Sequence, residues 1–240
     1  MALAAGPGLA CGLFALGVGL LVAASPARAQ VSGSVTLSSD YRLRGFSLTE
    51  GRPALSVGVA VDDPSGVYFG GAVIAHDPNG GSPRILGHTE YLGYARRLSD
   101  GGPALDVGFA SVDMSLYGDP KRPLEYQQVY VGLAQGAVSG RLSWSPDYPR
   151  RHVDTAYLDL NAAVRPADKW RLSGHVGVTE RLGGSDAIDG KSPRYDLRVA
   201  LARLFARSEV QVAWTELTPR PRPHNRRNES GLTVSASLFF

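Results

Sequence analysis

The chain has 240 residues, of which 43% are hydrophobic and 8% aromatic, and its 29 glycines and 16 prolines disfavour long helices. A mean hydropathy of -0.09, with no apolar run near ~20 residues beyond the first 25, excludes a polytopic helical membrane protein. The formal charge of +3 is too small to favour nucleic acid as a partner.

The first segment has the composition of a secretory signal. Residues 9–24 are almost wholly apolar or glycine, and residues 25–29 place small side chains where a signal peptidase cleaves. We therefore predict a signal peptide at residues 1–29 and a mature chain at residues 30–240. The single cysteine, Cys11, lies inside the signal, so the mature chain offers no disulfide and no cysteine nucleophile or metal ligand.

The mature sequence repeats with a period of two, which is the period of a strand whose two faces meet different surroundings. Apolar and polar side chains alternate clearly at residues 31–37, 55–61 and 232–240. Nine further strands are predicted at residues 67–76, 88–97, 104–112, 124–133, 138–145, 153–164, 170–179, 194–201 and 209–216. The alternation is broken at Leu92, which leaves the register of that strand open.

Short and long connections take turns along these twelve strands. The sequence therefore predicts an all-β fold, namely a transmembrane antiparallel up-and-down β-barrel of about twelve strands in the bacterial outer membrane. Lipid cannot hydrogen-bond an exposed backbone, so a sheet in a membrane must close on itself. A soluble secreted sandwich would show the same alternation, but the alternating loop lengths, the absence of disulfides and the terminal aromatic favour the barrel.

The sequence ends at Phe240, which closes an alternating strand. An aromatic residue in this place resembles the signal that the barrel assembly machinery recognises in outer-membrane barrels. We therefore expect Phe240 to act as an assembly signal.

The first predicted strand and loop carry a family resemblance. Residues 39–49 read S-D-Y-R-L-R-G-F-S-L-T and residues 53–58 read P-A-L-S-V-G. They resemble the opening of the TorF family of porin-like proteobacterial outer-membrane barrels, S-D-Y-x-x-R-G-x-S-Q-T followed by P-A-x-Q-G. Leu48 and Ser56 stand where that pattern has Gln, and residues 89–94 resemble the family's fourth strand. The resemblance implies a porin.

Three residues of this motif are candidate functional residues: Asp40, Arg44 and Gly45. Asp40 and the arginines would either shape the electrostatics of the channel mouth or bridge to lipid phosphates. Alternatively, an Asp40–Arg44 ion pair would fix the loop, with Gly45 supplying a turn. The structural alternative is favoured, and neither implies catalysis.

The inward strand faces are predicted to line a pore. The candidate lining residues are Arg96, Arg141, Asp159, Arg171, Arg194, Asp196 and Arg198, with Asp106 and Glu90 as further acidic positions. Such charges either set the ion preference of a water column or pair across the lumen and block it. We therefore predict a passive channel for small hydrophilic solutes or ions, with a small or nearly occluded lumen and weak anion preference.

Basic residues are also concentrated in the predicted outer loops, at Lys121, Arg122, Arg150, Arg151, Arg220, Arg222, Arg226 and Arg227. Arginine suits the phosphates of lipopolysaccharide, and a solvated loop is the alternative. Nucleic acid is a remote third choice because no aromatic residues are interleaved with these charges.

Two other functions remain open, a lipid-modifying hydrolase and a non-conducting structural or adhesive barrel. The best hydrolase candidate is His152, near Ser145, Tyr148 and Asp154. No cofactor, metal site or catalytic residue is predicted.

Overall fold

The structure is a computed structural model that describes residues 29–77, 81–119, 121, 123–184, 193–218 and 230–240. Twelve of the strands in these residues form one closed antiparallel barrel, which confirms the predicted fold class. The barrel strands are β1 (Gln30–Ser38), β4 (Ala54–Asp62), β5 (Val67–His76), β6 (Arg84–Arg97), β7 (Ala104–Ser115), β8 (Pro123–Gln135), β9 (Val138–Ser145), β10 (Thr155–Ala167), β11 (Trp170–Arg181), β12 (Arg194–Leu204), β13 (Ser208–Thr218) and β14 (Ser230–Phe239). Two short strands, β2 (Arg42–Leu43) and β3 (Phe46–Ser47), pair separately, and a 3-10 helix covers Leu116–Gly118.

Each barrel strand pairs with its neighbours in sequence, and β1 closes the barrel by pairing with both β4 and β14. Phe240 extends this seam, since its amide donates to the Gly33 carbonyl at 3.1 Å and its carbonyl accepts from the Gly33 amide at 2.7 Å. Its ring lies over Gly33, where an added Cβ would stand 2.3 Å from the Phe240 Cε2 atom. Because Gly33 has no side chain, the Phe240 ring can lie flat across β1 and β14.

The two barrel faces differ in chemistry. On β4, Leu55 and Val57 point outward and are 42% and 47% exposed, whereas Ser56 between them points inward and is buried. The same apolar outward belt continues around the strands and includes Trp144 and Trp214. Because closure pairs the backbone groups between strands, such a belt can face hydrocarbon without exposing polar groups.

The two ends of the barrel also differ. Short turns at residues 63–66, 98–103, 136–137, 168–169 and 205–207 define the turn end. Six longer connections, which follow β1, β5, β7, β9, β11 and β13, start at the opposite end, which we call the loop end. In outer-membrane barrels the short turns face the periplasm. No helix among the described residues is long and apolar enough to cross a membrane.

One strand departs from the sequence-based register. Strand β6 begins at Arg84, four residues before the predicted start, and an irregularity between Ile74 and Ala75 of β5 shifts its pairing. Downstream of this irregularity, Ala95 pairs with the buried, inward-facing Asp106, so Arg96 pairs with Leu105 on the outer face. The inward placement of Arg96 was therefore wrong. Glu90 also faces outward, with a side chain that is 70% exposed.

Candidate functional site

The candidate site is the lumen, whose wall is built from the inward faces of the barrel strands. The structure places six of the seven predicted lining residues on these faces: Arg141, Asp159, Arg171, Arg194, Asp196 and Arg198. Most of them contact an oppositely charged or amide side chain, so the wall is organised as hydrogen-bonded groups rather than isolated charges.

The first group joins β5, β7, β8 and β9. Nη2 of Arg141 lies 2.5 Å from Oδ2 of Asp106, and the guanidinium lies 4.2 Å from the ring centre of Tyr130. Tyr68 donates to Asp106, and the Tyr68 and Tyr130 hydroxyls are 2.6 Å apart. This buried ion pair is thus held by two phenols, which fixes the guanidinium against the wall.

The second group lies near the turn end on β11, β12 and β13. Nη2 of Arg171 donates to both carboxylate oxygens of Glu209, at 2.6 and 2.7 Å. Gln211 donates to Glu209 at 3.2 Å and accepts from Arg198. Two arginines therefore share one carboxylate, directly or through an amide.

The third group is a chain of polar side chains across β10, β11 and β12. Nε2 of His175 lies 2.8 Å from Oδ1 of Asp196, and Nδ1 lies 2.8 Å from Oδ1 of Asn161. Asn161 in turn donates to Asp159 at 2.7 Å, and the Tyr157 hydroxyl lies 3.2 Å from Asp196. His175 thus links the two predicted acidic lining residues.

Tyrosine rings on the wall lie flat instead of crossing the lumen. Tyr68 lies over its cross-strand partner Gly93, where an added Cβ would stand 2.3 Å from the phenol oxygen. Tyr130 covers Gly108 in the same way, with a corresponding distance of 2.4 Å. Because a ring above a glycine follows the wall, these large side chains leave the barrel axis free of their rings.

The first long connection folds into the lumen at the loop end. We name residues 40–51, which contain β2 and β3, the inner hairpin. Ser47 and Leu48 are fully buried, and Leu43 and Leu48 join an apolar cluster with wall residues that include Ile74 and Met114. The backbone at the tip is left-handed, with φ of 47° at Arg44 and 79° at Gly45. The loop end of the lumen is therefore occupied by the chain itself.

Asp40 holds the inner hairpin together. Its Oδ1 atom accepts hydrogen bonds from the Ser47 hydroxyl at 2.5 Å, the Thr49 hydroxyl at 2.9 Å and the Gly51 amide at 3.2 Å. Its Oδ2 atom lies 2.7 Å from Nε of Arg42. The expected ion pair between Asp40 and Arg44 was therefore wrong, because Arg42 is the partner, although Asp40 does fix the loop.

Arg44 projects from the hairpin tip into a cage of aromatic side chains. Its guanidinium carbon lies 4.1 Å from the ring centre of Tyr148 and 4.2 Å from that of Tyr157, and Tyr126 is 5.3 Å away. Nη2 donates to Oε1 of Gln128 at 2.5 Å. Each ring presents its negative face to the cation, so the cage stabilises the charge without a carboxylate in direct contact.

The electrostatics of the hairpin follow from this enclosure. Burial lowers the pKa of Arg44, but the surrounding phenols and Asp196 outweigh burial and raise it overall. Burial, with a smaller contribution from Tyr126, raises the pKa of the Tyr41 phenol. Arg44 therefore stays charged and Tyr41 stays neutral at the loop end of the lumen.

Parts of the lumen wall are exposed to solvent. The side chains of His175 and Arg171 are 19% and 13% exposed, whereas those of Arg141 and Asp196 are 7% and 4% exposed. Ser32, Ser34 and Ser173 are also partly exposed. Solvent therefore reaches part of the lumen wall on β1 and β11.

Sequence reasoning missed several wall residues. Glu209 and Gln211 face inward at the start of β13, and Gln128 faces inward on β8. The alternation Glu209, Gln211, Ala213 opposite Val210, Val212, Trp214 was a readable signal for the first two. Gln128 had no such signal, because the adjacent Gln127 is equally polar.

His152 and Ser145, the residues of the hydrolase alternative, lie in different environments. His152 is exposed, and its amide donates to Asp147 at 2.9 Å. Ser145 is buried on the inward face, where its oxygen accepts from the Asp147 amide at 3.3 Å. The described residues also contain no cluster of three His, Cys, Asp or Glu side chains suited to a metal ion.

The barrel is similar to several solved structures, among them two porins. Its similarity to the KdgM porin has a TM-score of 0.53 at 10% identity, covering 87% of this chain and 99% of that one. The NanC porin gives 0.54 at 10% identity, covering 88% and 100%. LpxR from Salmonella typhimurium gives 0.50 at 8% identity, covering 87% and 99%. At these identities the similarity shows the fold alone.

At the level of sequence, the family model described as "Bacterial protein of unknown function (Gcw_chp)" matches residues 22–218. No curated protein matches the chain. A closed barrel of antiparallel strands with an apolar outward belt and a polar interior is the architecture of bacterial outer-membrane proteins, and the chain is assigned to that membrane.

Proposed function

This chain belongs to the Gcw_chp family of bacterial proteins of unknown function, and from the barrel that it forms we propose an outer-membrane channel for passive diffusion of small hydrophilic solutes or ions. The observation that carries the proposal is the polar interior. Charged and hydroxyl side chains line the inner face of a closed barrel whose outer face is apolar. A barrel needs only an apolar outside to sit in lipid, so a charged interior indicates contact with water and solutes.

The wall groups would act on solutes by electrostatics, with no chemical step. The inward faces of β11 and β12 carry three arginines, Arg171, Arg194 and Arg198. The carboxylates of Glu209 and Asp196 lie on the same part of the wall. The wall charges named above balance, with four arginines against four carboxylates, so the proposed weak anion preference rests on the local excess of Arg171, Arg194 and Arg198 over Asp196 and Glu209. With about twelve strands the lumen is intermediate between filled eight-stranded barrels and open sixteen-stranded porins, so small solutes are the proposed cargo.

Partners at the membrane surface are also proposals. Lys121, Arg150 and Arg151 lie exposed or partly exposed at the loop end, where they would meet lipopolysaccharide phosphates. Arg122, Arg220, Arg222, Arg226 and Arg227 lie outside the described residues. Phe240 is proposed as the signal for the barrel assembly machinery, and the TorF name is proposed for the family on the motif that forms the inner hairpin.

A swelling assay tests the function. Refolded protein in liposomes is diluted into isotonic solutions of arabinose, glucose, sucrose and stachyose, and light scattering reports solute entry. A channel lets the smaller sugars enter faster than the larger ones and faster than in protein-free liposomes. A structural or adhesive barrel admits none of them, and that result would refute the proposal.

A further inference from the structure

We propose that the inner hairpin is a displaceable gate, held closed at its tip by Arg44, and that its release opens the channel at the loop end. This inference rests on the proposed channel function and adds how that channel is regulated. It is carried by the internal bonding of the hairpin and by the way its tip meets the wall.

The inner hairpin has a bonding network of its own. The three hydrogen bonds to Oδ1 of Asp40 and the ion pair to Arg42 all join residues of the hairpin. The Tyr41 amide donates to the Thr49 hydroxyl at 3.0 Å, and Nη1 of Arg42 donates to the Gly45 carbonyl at 3.0 Å. None of these bonds would break if the hairpin moved as one body.

Arg44 connects the tip of the hairpin to the strands. Its guanidinium bonds Gln128 of β8 and lies among the three tyrosine rings. Behind the tip, the Leu48 carbonyl accepts from the Tyr117 amide at 2.8 Å, within another long connection. Removal of the Arg44 side chain would therefore detach the tip from the barrel wall while the network of Asp40 stays intact.

The closed position leaves polar groups without partners. Nε and Nη1 of Arg44, Nε2 of Gln128 and the hydroxyl of Tyr126 are buried and have no hydrogen-bond partner among the described residues. Buried polar groups of this kind destabilise the state that buries them. Leaving the cage would return the Arg44 and Gln128 groups to water, which offsets part of the free energy needed to expose Leu43 and Leu48.

The hairpin backbone is left-handed at two positions that are not glycine. Arg44 and Glu50 have φ of 47° and 55°, in the left-handed region that side chains other than Asn and Gly disfavour. These residues stand at the tip and near the end of the hairpin. Because the hairpin moves as one body, this local strain is the same before and after displacement and favours neither position.

Two glycines in the hairpin give a matched test of the closed position. Gly45 and Gly51 have nearly equal φ, 79° and 75°. A Cβ on Gly45 would stand 2.7 Å from Cβ of Asp196 on the wall, whereas a Cβ on Gly51 would have nothing within 4 Å. Gly45→Ala and Gly51→Ala therefore impose the same backbone strain, but only Gly45→Ala pushes the hairpin away from the barrel.

The experiment records single channels of refolded full-length mature protein in planar bilayers. We expect Gly45→Ala and Arg44→Ala to raise the occupancy of the open level by about 5–30-fold, and Gly51→Ala to change it much less. Arg207→Ala, which removes an exposed arginine at a turn, controls for the loss of charge. Heat-modifiable mobility on gels shows that each variant is folded.

A second measurement follows the hairpin without relying on conduction. Leu48 is fully buried in the apolar cluster that includes wall residues, so Leu48→Cys should react slowly with a membrane-impermeant maleimide in the closed state. Adding Arg44→Ala to Leu48→Cys should raise the labelling rate by the same factor as the open occupancy.

The outcomes separate the gate from the channel. If the wild type conducts and neither Arg44→Ala nor Gly45→Ala changes occupancy or labelling, the gate is refuted and the channel stands. If labelling rises but no variant conducts, the channel function is refuted, and the gate with it. Parallel increases in occupancy and labelling support both.

Discussion

Nη2 of Arg141 in β9 lies 2.5 Å from Oδ2 of Asp106 in β7, so this ion pair spans the intervening strand β8. Both side chains are buried, and Tyr68 and Tyr130 complete the group. The pair therefore fastens three neighbouring strands on the lumen side. Its removal should affect the stability of the barrel as well as the charge of its wall.

Breaking this pair on one side should destabilise the barrel. Asp106→Ala removes the carboxylate that lies 2.5 Å from the buried Arg141 guanidinium, and we expect a loss of about 3–5 kcal/mol in the free energy of unfolding. The double variant Asp106→Leu/Arg141→Met, which removes both charges, should recover most of this loss. Urea titration in detergent micelles measures both. Equal losses in the single and double variants would contradict the assigned pairing.

Glycine at the β6 irregularity should be indispensable. Gly87 has φ of 154°, and an added Cβ would stand 2.1 Å from the Asp113 carbonyl oxygen, which is backbone and cannot rotate away. We expect Gly87→Ala to cost about 1–3 kcal/mol of unfolding free energy. Gly174→Ala is the matched control, since a Cβ there has nothing within 4 Å. Similar urea midpoints for the two variants would contradict the strand geometry.

Inward and outward arginines should differ in their effect on ions. Replacing Arg194 and Arg198 together by Glu reverses charges on the lumen wall, and we expect the reversal potential in a salt gradient to shift toward cation preference. Arg96→Glu makes the same kind of change on the outer face, where Arg96 pairs with Leu105, and should leave the reversal potential unchanged. An effect of Arg96→Glu as large as that of the double variant would contradict the register of β6.

Asp40 should be required for the shape of the inner hairpin. Asp40→Ala removes the acceptor of the Ser47, Thr49 and Gly51 hydrogen bonds, each of which involves a charged group and contributes about 1.5–3 kcal/mol. We expect faster proteolysis within residues 40–51 while the barrel stays folded, because these hydrogen bonds are internal to the hairpin. Asp40→Asn keeps one acceptor oxygen and should be intermediate. Unchanged proteolysis in both variants would refute this role of Asp40.

The strands of the barrel could be predicted from the sequence, but the contacts of the inner hairpin could not. Alternation at residues 31–37 and 232–240 predicted β1 and β14, because strands between lipid and water must separate apolar from polar side chains. On β6, Glu90 and Arg96 were predicted to face inward because they are charged, but the inward face carries Thr89, Tyr91, Gly93 and Ala95. With charged residues outside and uncharged residues inside, charge did not mark the inward face of this strand.

The contacts of the inner hairpin could not be predicted from periodic patterns, for a different reason. Its residues were recognised as a motif, but the environment of Arg44 depends on tyrosines at positions 126, 148 and 157, which lie far away in sequence. Likewise, the choice of Arg42 over Arg44 as the partner of Asp40 follows from the left-handed backbone at the hairpin tip. The contacts of Arg44 with the tyrosine rings depend on closure of the barrel and leave no local signal in the sequence.

The most direct test of the proposed channel is ion conductance by the wild-type protein, refolded and inserted into a planar bilayer in molar potassium chloride. We expect discrete current steps whose size is small compared with those of a sixteen-stranded porin. A barrel shown to be folded and inserted that passes no current, alone or with Gly45→Ala, would contradict the channel function.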